Sequence, residues 1–227
     1  MQWITDLLLL FFPSNCLVCG KRLHSHRAVL CFECEYKLPK TRFADRIDNP
    51  VSMIFWGREA VVAGTSLFKF EKGSVYQALL HDLKYRGNRM AGFYLGRLLG
   101  QELKQSVFSD CDLMIPVPIH RNRLKKRGYN QSELIARGAS EITGIPLVNN
   151  LVIRKGKSKS QTSMNRQERF DNISAAFSLG KRPRNFKDKK ILIIDDVLTT
   201  GATLEACSHT LLEHFKCFVY IATVSYA

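Results

Sequence analysis

The densest chemistry in the chain lies in Ile191-Leu-Ile-Ile-Asp195-Asp196-Val-Leu-Thr199-Thr200, followed by Gly201-Ala202-Thr203. Four apolar residues predict a buried parallel strand. Two adjacent carboxylates stand where that strand is expected to end. Leu204 to Leu211 then carries an apolar stripe at helical spacing. A strand feeding a hydroxyl- and glycine-rich turn that opens a helix is an anion site. The free N–H groups of the first helical turn and the positive end of the helix dipole face the ligand. Gly201 allows close backbone approach, and Thr199, Thr200 and Thr203 add hydroxyls. Carboxylates beside a bare phosphate would repel it. They fit if they hold sugar hydroxyls or a magnesium ion. Taken alone, an Asp-Asp pair at a strand end is often only a solvated terminus.

A second set is Cys16-x2-Cys19 and Cys31-x2-Cys34, separated by eleven residues. Two such knuckles can deliver four thiolates to a tetrahedral, structural zinc. His24 and His26 lie in the gap and could replace one thiolate. Two redox-active Cys-x-x-Cys motifs are the other reading. A closed four-thiolate site has no open position, so no catalysis is assigned to it. Cys111, Cys207 and Cys217 fall in strand or helix patterns and are expected to be small buried apolar residues.

Charge is spread unevenly. Residues 121–190 carry net +13, against +14 for the whole chain. Arg121, Arg123, Lys125, Lys126 and Arg127 form one cluster; Arg154 to Lys159 and Lys181 to Arg184 form others. The surplus exceeds what one small polyphosphate needs and suggests a polyanion, most simply single-stranded DNA. A generic solvated basic surface is the competing reading, because no aromatics interleave these runs closely in sequence.

These groups need elements to position them. Strands are expected at 60–68, 112–115, 147–153, 176–179, 191–194 and 218–224, and helices at 75–85, 90–104 and 130–143. Alternating strands and helices argue an α/β fold with a parallel sheet flanked by helices. Asn130 and Glu133 have capping-box-like spacing. Residues 1–40 are read as a short helix plus the four-cysteine module, 41–58 as a loop-like linker, and 59–227 as the α/β domain. Residues 154–172 are long, polar and aperiodic, as functional loops are. Lys84-Tyr85-Arg86-Gly87 reads first as a solvated helix end. The apolar run from Leu7 to Phe12 is too short to span a bilayer and has no basic stretch before it, so neither a membrane span nor a signal peptide is expected. An amphipathic helix covering part of the core is favoured there over an exposed apolar patch.

The acid pair with Val-x-Thr-Thr-Gly-x-Thr resembles the phosphoribosyl pyrophosphate (PRPP) signature of type I phosphoribosyltransferases. Met114 to His120, with Pro116-Val117-Pro118, is similar to the pyrophosphate-binding loop of glutamine PRPP amidotransferases. Arg127-Gly-Tyr-Asn-Gln131 looks like the corresponding element of the ComF family. Together with the four-cysteine knuckle and the Lys-Tyr-Arg-Gly turn, nearly the whole chain resembles that family. The resemblance implies a phosphoribosyltransferase-like domain joined to a zinc module, PRPP with magnesium as ligand, and a part in DNA uptake and competence alongside competence-machinery proteins. It implies a cytoplasmic protein, with peripheral attachment to a membrane through an uptake machine. Asp195 and Asp196 would lie along the ribose, the turn Thr199, Thr200, Gly201, Ala202, Thr203 would take the 5-phosphate, and Pro116, Val117, Pro118 and Arg166 would face the pyrophosphate. No cysteine nucleophile follows Met1, so no ammonia-generating half is implied. Three functions stay open: an active phosphoribosyltransferase of nucleotide metabolism with an unidentified acceptor, a PRPP-pocket binding module that handles single-stranded DNA, and a zinc-nucleated interaction subunit of an uptake machine.

Overall fold

A computed structural model describes residues 14–23, 25, 28–155, 176–181 and 185–227. The expected amino-terminal helix, His24, His26, Arg166, most of the 154–172 stretch and Arg182 to Arg184 lie outside the described residues.

Four strands form one parallel sheet: β1 (Val61–Lys69), β2 (Leu113–Pro116), β5 (Lys190–Leu198) and β6 (Phe218–Tyr226), in the order β1-β6-β5-β2. The two central strands are apolar on both faces, as a sheet covered on both sides requires. Leu192, Ile194, Tyr220, Ala222 and Val224 face one core. Ile191, Ile193, Val219 and Ile221 face the other. Among the described residues, seven helices surround the sheet: α1 (Phe32–Tyr36), α2 (Pro50–Met53), α3 (Gln77–Tyr85), α4 (Arg89–Leu103), α5 (Arg121–Arg127), α6 (Gln131–Thr143) and α7 (Ala202–His214).

The segments read as strands at 147–153 and 176–179 do not enlarge this sheet as expected. Leu147 makes a single parallel bridge to Met114. The chain turns at Asn150, which has positive φ. β3 (Val152–Arg154) then pairs antiparallel with β4 (Phe177–Leu179) in a separate ribbon. An apolar run does not encode which partner it takes. Residues 41–58 are not loop-like throughout. They hold a short 3-10 turn and α2, and Val51 and Phe55 are fully buried. Asn49 explains the packing: its Oδ1 accepts from the N–H groups of Val51 and Ser52, while Nδ2 donates to the Gly64 carbonyl of β1 at 2.9 Å.

The four-cysteine module shares a core with the α/β domain. Cys16, Leu23, Leu30, Cys34 and Leu38 belong to the same apolar cluster as Leu79, Leu95 and Leu99. Tyr76 Oη donates to the Cys34 carbonyl at 3.0 Å, Tyr94 bonds the Glu35 carboxylate, and Lys40 pairs with Glu102 at 3.0 Å.

The tightest packing joins α4 to α6. Gly96 lies so close to its neighbour that an added Cβ would come within 2.0 Å of the Ile135 carbonyl oxygen, and one on Gly138 within 2.1 Å of the Phe93 carbonyl oxygen. Each glycine makes room for the other helix's backbone, which cannot swing away as a side chain could. Gly96→Ala and Gly138→Ala should therefore each destabilise the protein by about 1–3 kcal/mol or more, the range for overpacking a rigid core. A urea denaturation midpoint that stays at the wild-type value would refute this account of the contact.

Candidate functional site

β5 continues through the acid pair to Leu198, with Asp195 opposite Thr223 of β6. The carboxylates thus lie within the strand and not just past it. Asp195 is buried. Its Oδ1 accepts from Ser132 Oγ at 2.7 Å and from the Asp196 N–H at 2.9 Å. Burial, and then the neighbouring Asp196 charge, push its carboxyl up to about 7 despite those hydrogen bonds. Asp196 is partly exposed and pairs with Lys84 Nζ at 3.2 Å. Lys84 sits in the last turn of α3. The turn read as a solvated helix end therefore sends one of its cations into the site, while Arg86 folds back on Asp82 at 3.3 Å.

Thr199, Thr200 and Gly201 connect β5 to α7, where no side chain caps the first turn. Its N–H groups are left for a ligand. Asp195, Thr199, Thr200, Gly201, Ala202 and Thr203 border a small polar pocket of about 40 Å³. Gly201 has φ +81, the left-handed region that favours glycine. A side chain there would also press on Ile54 and Phe55, whose nearest atoms lie 3.0 and 3.2 Å from the position of a Cβ. Its role is thus set by the 41–58 segment packed behind the turn, in addition to any ligand in front. Arg58 of that segment donates to the Thr200 carbonyl at 3.1 Å and approaches Glu205 at 3.9 Å. Ile54, Phe55 and Arg58 were not anticipated, because nothing in their spacing marks them as a brace.

Pro116 ends β2 beside Ile194. The Val117 N–H donates to the Ile194 carbonyl at 2.9 Å, and the Val117 carbonyl accepts from Asn130 Nδ2 at 2.9 Å. Asn130 also caps α6 through the Ser132 N–H. Its expected capping-box partner, Glu133, pairs instead with Arg137 at 2.7 Å. Tyr129 Oη donates to the Leu83 carbonyl of α3 at 2.6 Å. The Arg-Gly-Tyr-Asn-Gln element is thereby a set of ties among the Pro-Val-Pro turn, α3 and α6. Ser132, the residue after it, supplies the direct contact to Asp195.

Arg121 to Arg127 fold into α5, which buries none of its residues and starts at His120, whose ring accepts from the Asn122 N–H. Among the described residues, no acid forms an ion pair with Arg121, Arg123, Lys125, Lys126 or Arg127. Arg127 stacks its guanidinium over Tyr85, 5.9 Å from the ring centroid. Arg154, at the end of β3, stacks over Phe177 at 5.3 Å. Its Nε is buried with no protein partner. Burial, and next the like charge of Arg123, hold its pKa below the usual guanidinium value. A buried guanidinium with an unmet donor is a group that an anion would satisfy.

The sulfur atoms of Cys16, Cys19, Cys31 and Cys34 all lie within 4.8 Å of one another and could hold a metal ion. Cys19 and Cys31 Sγ are 3.6 Å apart, close to the roughly 3.8 Å that tetrahedral zinc–thiolate geometry requires. Burial would raise the Cys16 thiol, but the N–H groups of Cys19, Cys31 and Val18 outweigh it and hold it at about 6. Burial pushes Cys34 upward, as do its cysteine neighbours. Cys111, Cys207 and Cys217 are buried, as expected, and burial raises the pKa of each.

Residues 125–227 match the phosphoribosyl transferase domain family. Competence protein F of Haemophilus influenzae is 25% identical over 217 residues, 88% of this chain and 92% of that protein. Competence protein ComFC of Streptococcus pneumoniae is 24% identical over 220 residues, 88% of this chain and 94% of that protein. DNA utilization protein YhgH of Escherichia coli K12 is 28% identical over 140 residues, 60% of each chain. Among the described residues no helix is long and apolar enough to cross a membrane.

The raised Asp195 pKa has a signed consequence for stability. Its folded value, about 7, exceeds the ordinary aspartate value of 3.8. The unfolded chain therefore loses this proton first, and the stability cost of Asp195 grows as pH rises from about 4 to about 7. Asp195→Asn keeps an acceptor for Ser132 and for the Asp196 N–H. It should be more stable than wild type at pH 8, with the advantage shrinking to nothing near pH 4. Melting curves of the two proteins that stay parallel across this range would contradict the buried, proton-retaining carboxyl.

Proposed function

We infer that this chain, a ComF-family protein carrying a phosphoribosyl transferase domain, is a ribose-phosphate-binding component of DNA uptake. Competence protein F, ComFC and a DNA utilization protein are its relatives by name. A general enzyme of nucleotide metabolism is not favoured. The observation that carries the ligand is the continuous cradle: the acid pair on β5, the uncapped α7 turn beyond it, and the Pro-Val-Pro turn bonded alongside through Val117.

In this reading the α7 turn holds the 5-phosphate, Asp195 and Asp196 orient the ribose hydroxyls, and Pro116 to Pro118 face the pyrophosphate. Two carboxylates are the hard oxygen donors magnesium prefers. When bound, magnesium would supply charge neutralisation at the departing pyrophosphate. Lys84 offsets the Asp196 charge from the other side. Arg154 provides positive charge toward Asp195, and Arg166, outside the described residues, is assigned to the same ligand. If the site turns over, the step is displacement of pyrophosphate at the anomeric carbon, with Asp195 and Asp196 balancing the positive charge that develops on the ribose.

PRPP with magnesium should bind in isothermal titration. Asp195→Ala with Asp196→Ala should abolish that heat while the thermal melt stays cooperative. A wild-type protein with no affinity for PRPP or ribose 5-phosphate would end the pocket reading. A screen for pyrophosphate release with candidate bases then separates catalyst from binding module.

The four cysteines are assigned to structural zinc. Purified protein should carry about one zinc per chain, the content of one closed tetrahedral site. Because Cys16 and Cys34 share the core of Leu79 and Leu95, Cys16→Ser with Cys19→Ser should lower the melting temperature of the whole protein as well as release the metal. Metal analysis that finds iron or nothing would overturn the assignment.

The exposed α5, whose cations pair with no acid among the described residues, is assigned to single-stranded DNA. Contacts between its cations and phosphates would make affinity fall steeply with salt. Neutralising Lys125 and Lys126 should flatten the log–log slope by roughly 0.7 for each lost phosphate contact.

A further inference from the structure

We propose that Phe32 and Tyr36, on the helix of the four-cysteine module, form a base-stacking platform for single-stranded DNA, held at one end of α3 while Tyr85 and Arg127 offer a second stacking face at the other. The proposal rests on the DNA-handling reading above and names a surface which that reading leaves unassigned.

Phe32 is 87% exposed and Tyr36 81%, the highest values among the large apolar residues described. A folded protein hides such rings unless something uses them. The two are one helical turn apart, with near-parallel planes at 19° and centroids 6.3 Å apart. The helix that carries them is held in place. Cys31 and Cys34 of the four-cysteine cluster bracket Phe32, and the Cys34 carbonyl and the Glu35 carboxylate are bonded by Tyr76 and Tyr94. The two rings are thus presented to solvent from a fixed backbone.

Charge favours nucleic acid over an apolar protein partner. Residues 14–42 carry six lysines and arginines against two glutamates. The module stays positive even after the formal charge of −2 on a zinc ion with four thiolates. Position favours a continuous strand. Tyr76, just before α3, binds the module, and Lys84, in its last turn, reaches Asp196. Seven residues of α3 separate the two attachments, about 12 Å of helix. Tyr85, the final residue of α3, is 71% exposed, with the Arg127 guanidinium over its ring. Aromatic faces thus stand at both ends of one short helix, with the Arg127 guanidinium over one and Lys37, which pairs with Glu33, next in the chain to the other. This is how sequence-tolerant single-strand binders are built: stacking supplies affinity from any base, and basic groups follow the backbone. The basic runs seemed to lack aromatics only because their partners come from other parts of the chain.

The test uses the full, metal-loaded protein and fluorescent oligo-dT. Phe32→Leu with Tyr36→Leu keeps apolar bulk and removes both π-faces. It should weaken oligo-dT binding about fivefold or more per ring, the lower end of base–aromatic stacking. The salt slope should stay unchanged, because no phosphate contact is lost. Melting temperature, metal content and PRPP affinity should also be unchanged. Phe32→Trp with Tyr36→Trp should restore binding. Unchanged oligo-dT affinity in the leucine variant, while wild type binds, overturns the platform and leaves the α5 assignment standing. Equal loss of duplex binding also overturns it, since paired bases cannot stack on the platform. Wild-type protein that fails to bind oligo-dT even at low salt removes the DNA-handling reading itself, and the platform with it.

Discussion

The constraint around which this molecule is arranged is a buried carboxylate with a second carboxylate next to it in the chain. Asp195 occupies a central strand, where a charge loses most of its hydration. Its neighbour cannot be moved away. The protein answers with donors from three directions: Ser132 from α6, the Asp196 N–H from the strand itself, and Lys84 from α3 against the second acid. Each answer requires that an element be held within a few tenths of an ångström. The glycine contacts between α4 and α6 anchor α6, and Tyr129 ties the start of α6 to α3. The acid pair therefore depends on helix packing whose residues show no chemistry of their own.

The turn between β5 and α7 is held from behind in the same way. A left-handed Gly201 closes the turn, but Ile54, Phe55 and Arg58 decide where it sits. They come from a stretch that bears on β1 through Asn49 and Ser52, both bonded to Gly64, and through Thr41. A turn that must present backbone N–H groups to a ligand cannot spend them on a side-chain cap, so support has to come from outside α7. Placing that support in the 41–58 segment ties the turn after β5 to β1, while Ala44 of the same segment joins the core shared with the four-cysteine module.

How far this was legible in the sequence follows from what each feature encodes. The β5 string, the four cysteines and the main helices each announce themselves through local order: apolar runs, fixed spacings, a glycine after hydroxyls. The parallel sheet and the metal-competent cluster were readable on those terms. Lys84, Arg58 and Ser132 were not, because what makes each of them matter is a partner 112, 142 and 63 residues away. The run at 147–153 failed for a related reason. Val152 and Ile153 have the composition of a strand, but their pairing with Phe177–Leu179 and not with β2 is set by the turn at Asn150. Glu133 shows the reverse error: a correct local spacing, overridden by Arg137 one turn along its own helix.

The distribution of cations completes the argument. Lys84 is committed to an acid, Arg58 to a carbonyl, and Arg127 is stacked on Tyr85, while Arg154 lies over Phe177 with a buried Nε that has no hydrogen-bond partner. A desolvated guanidinium with an unmet donor attracts an anion more selectively than a hydrated one, because the bond it lacks is made only on binding. The cations of α5 lie on a helix that buries none of its residues, so their attraction is long-ranged and salt-sensitive. One basic block thereby contains two kinds of positive charge: a half-buried guanidinium with a donor to spare, and an open helix of solvent-facing cations.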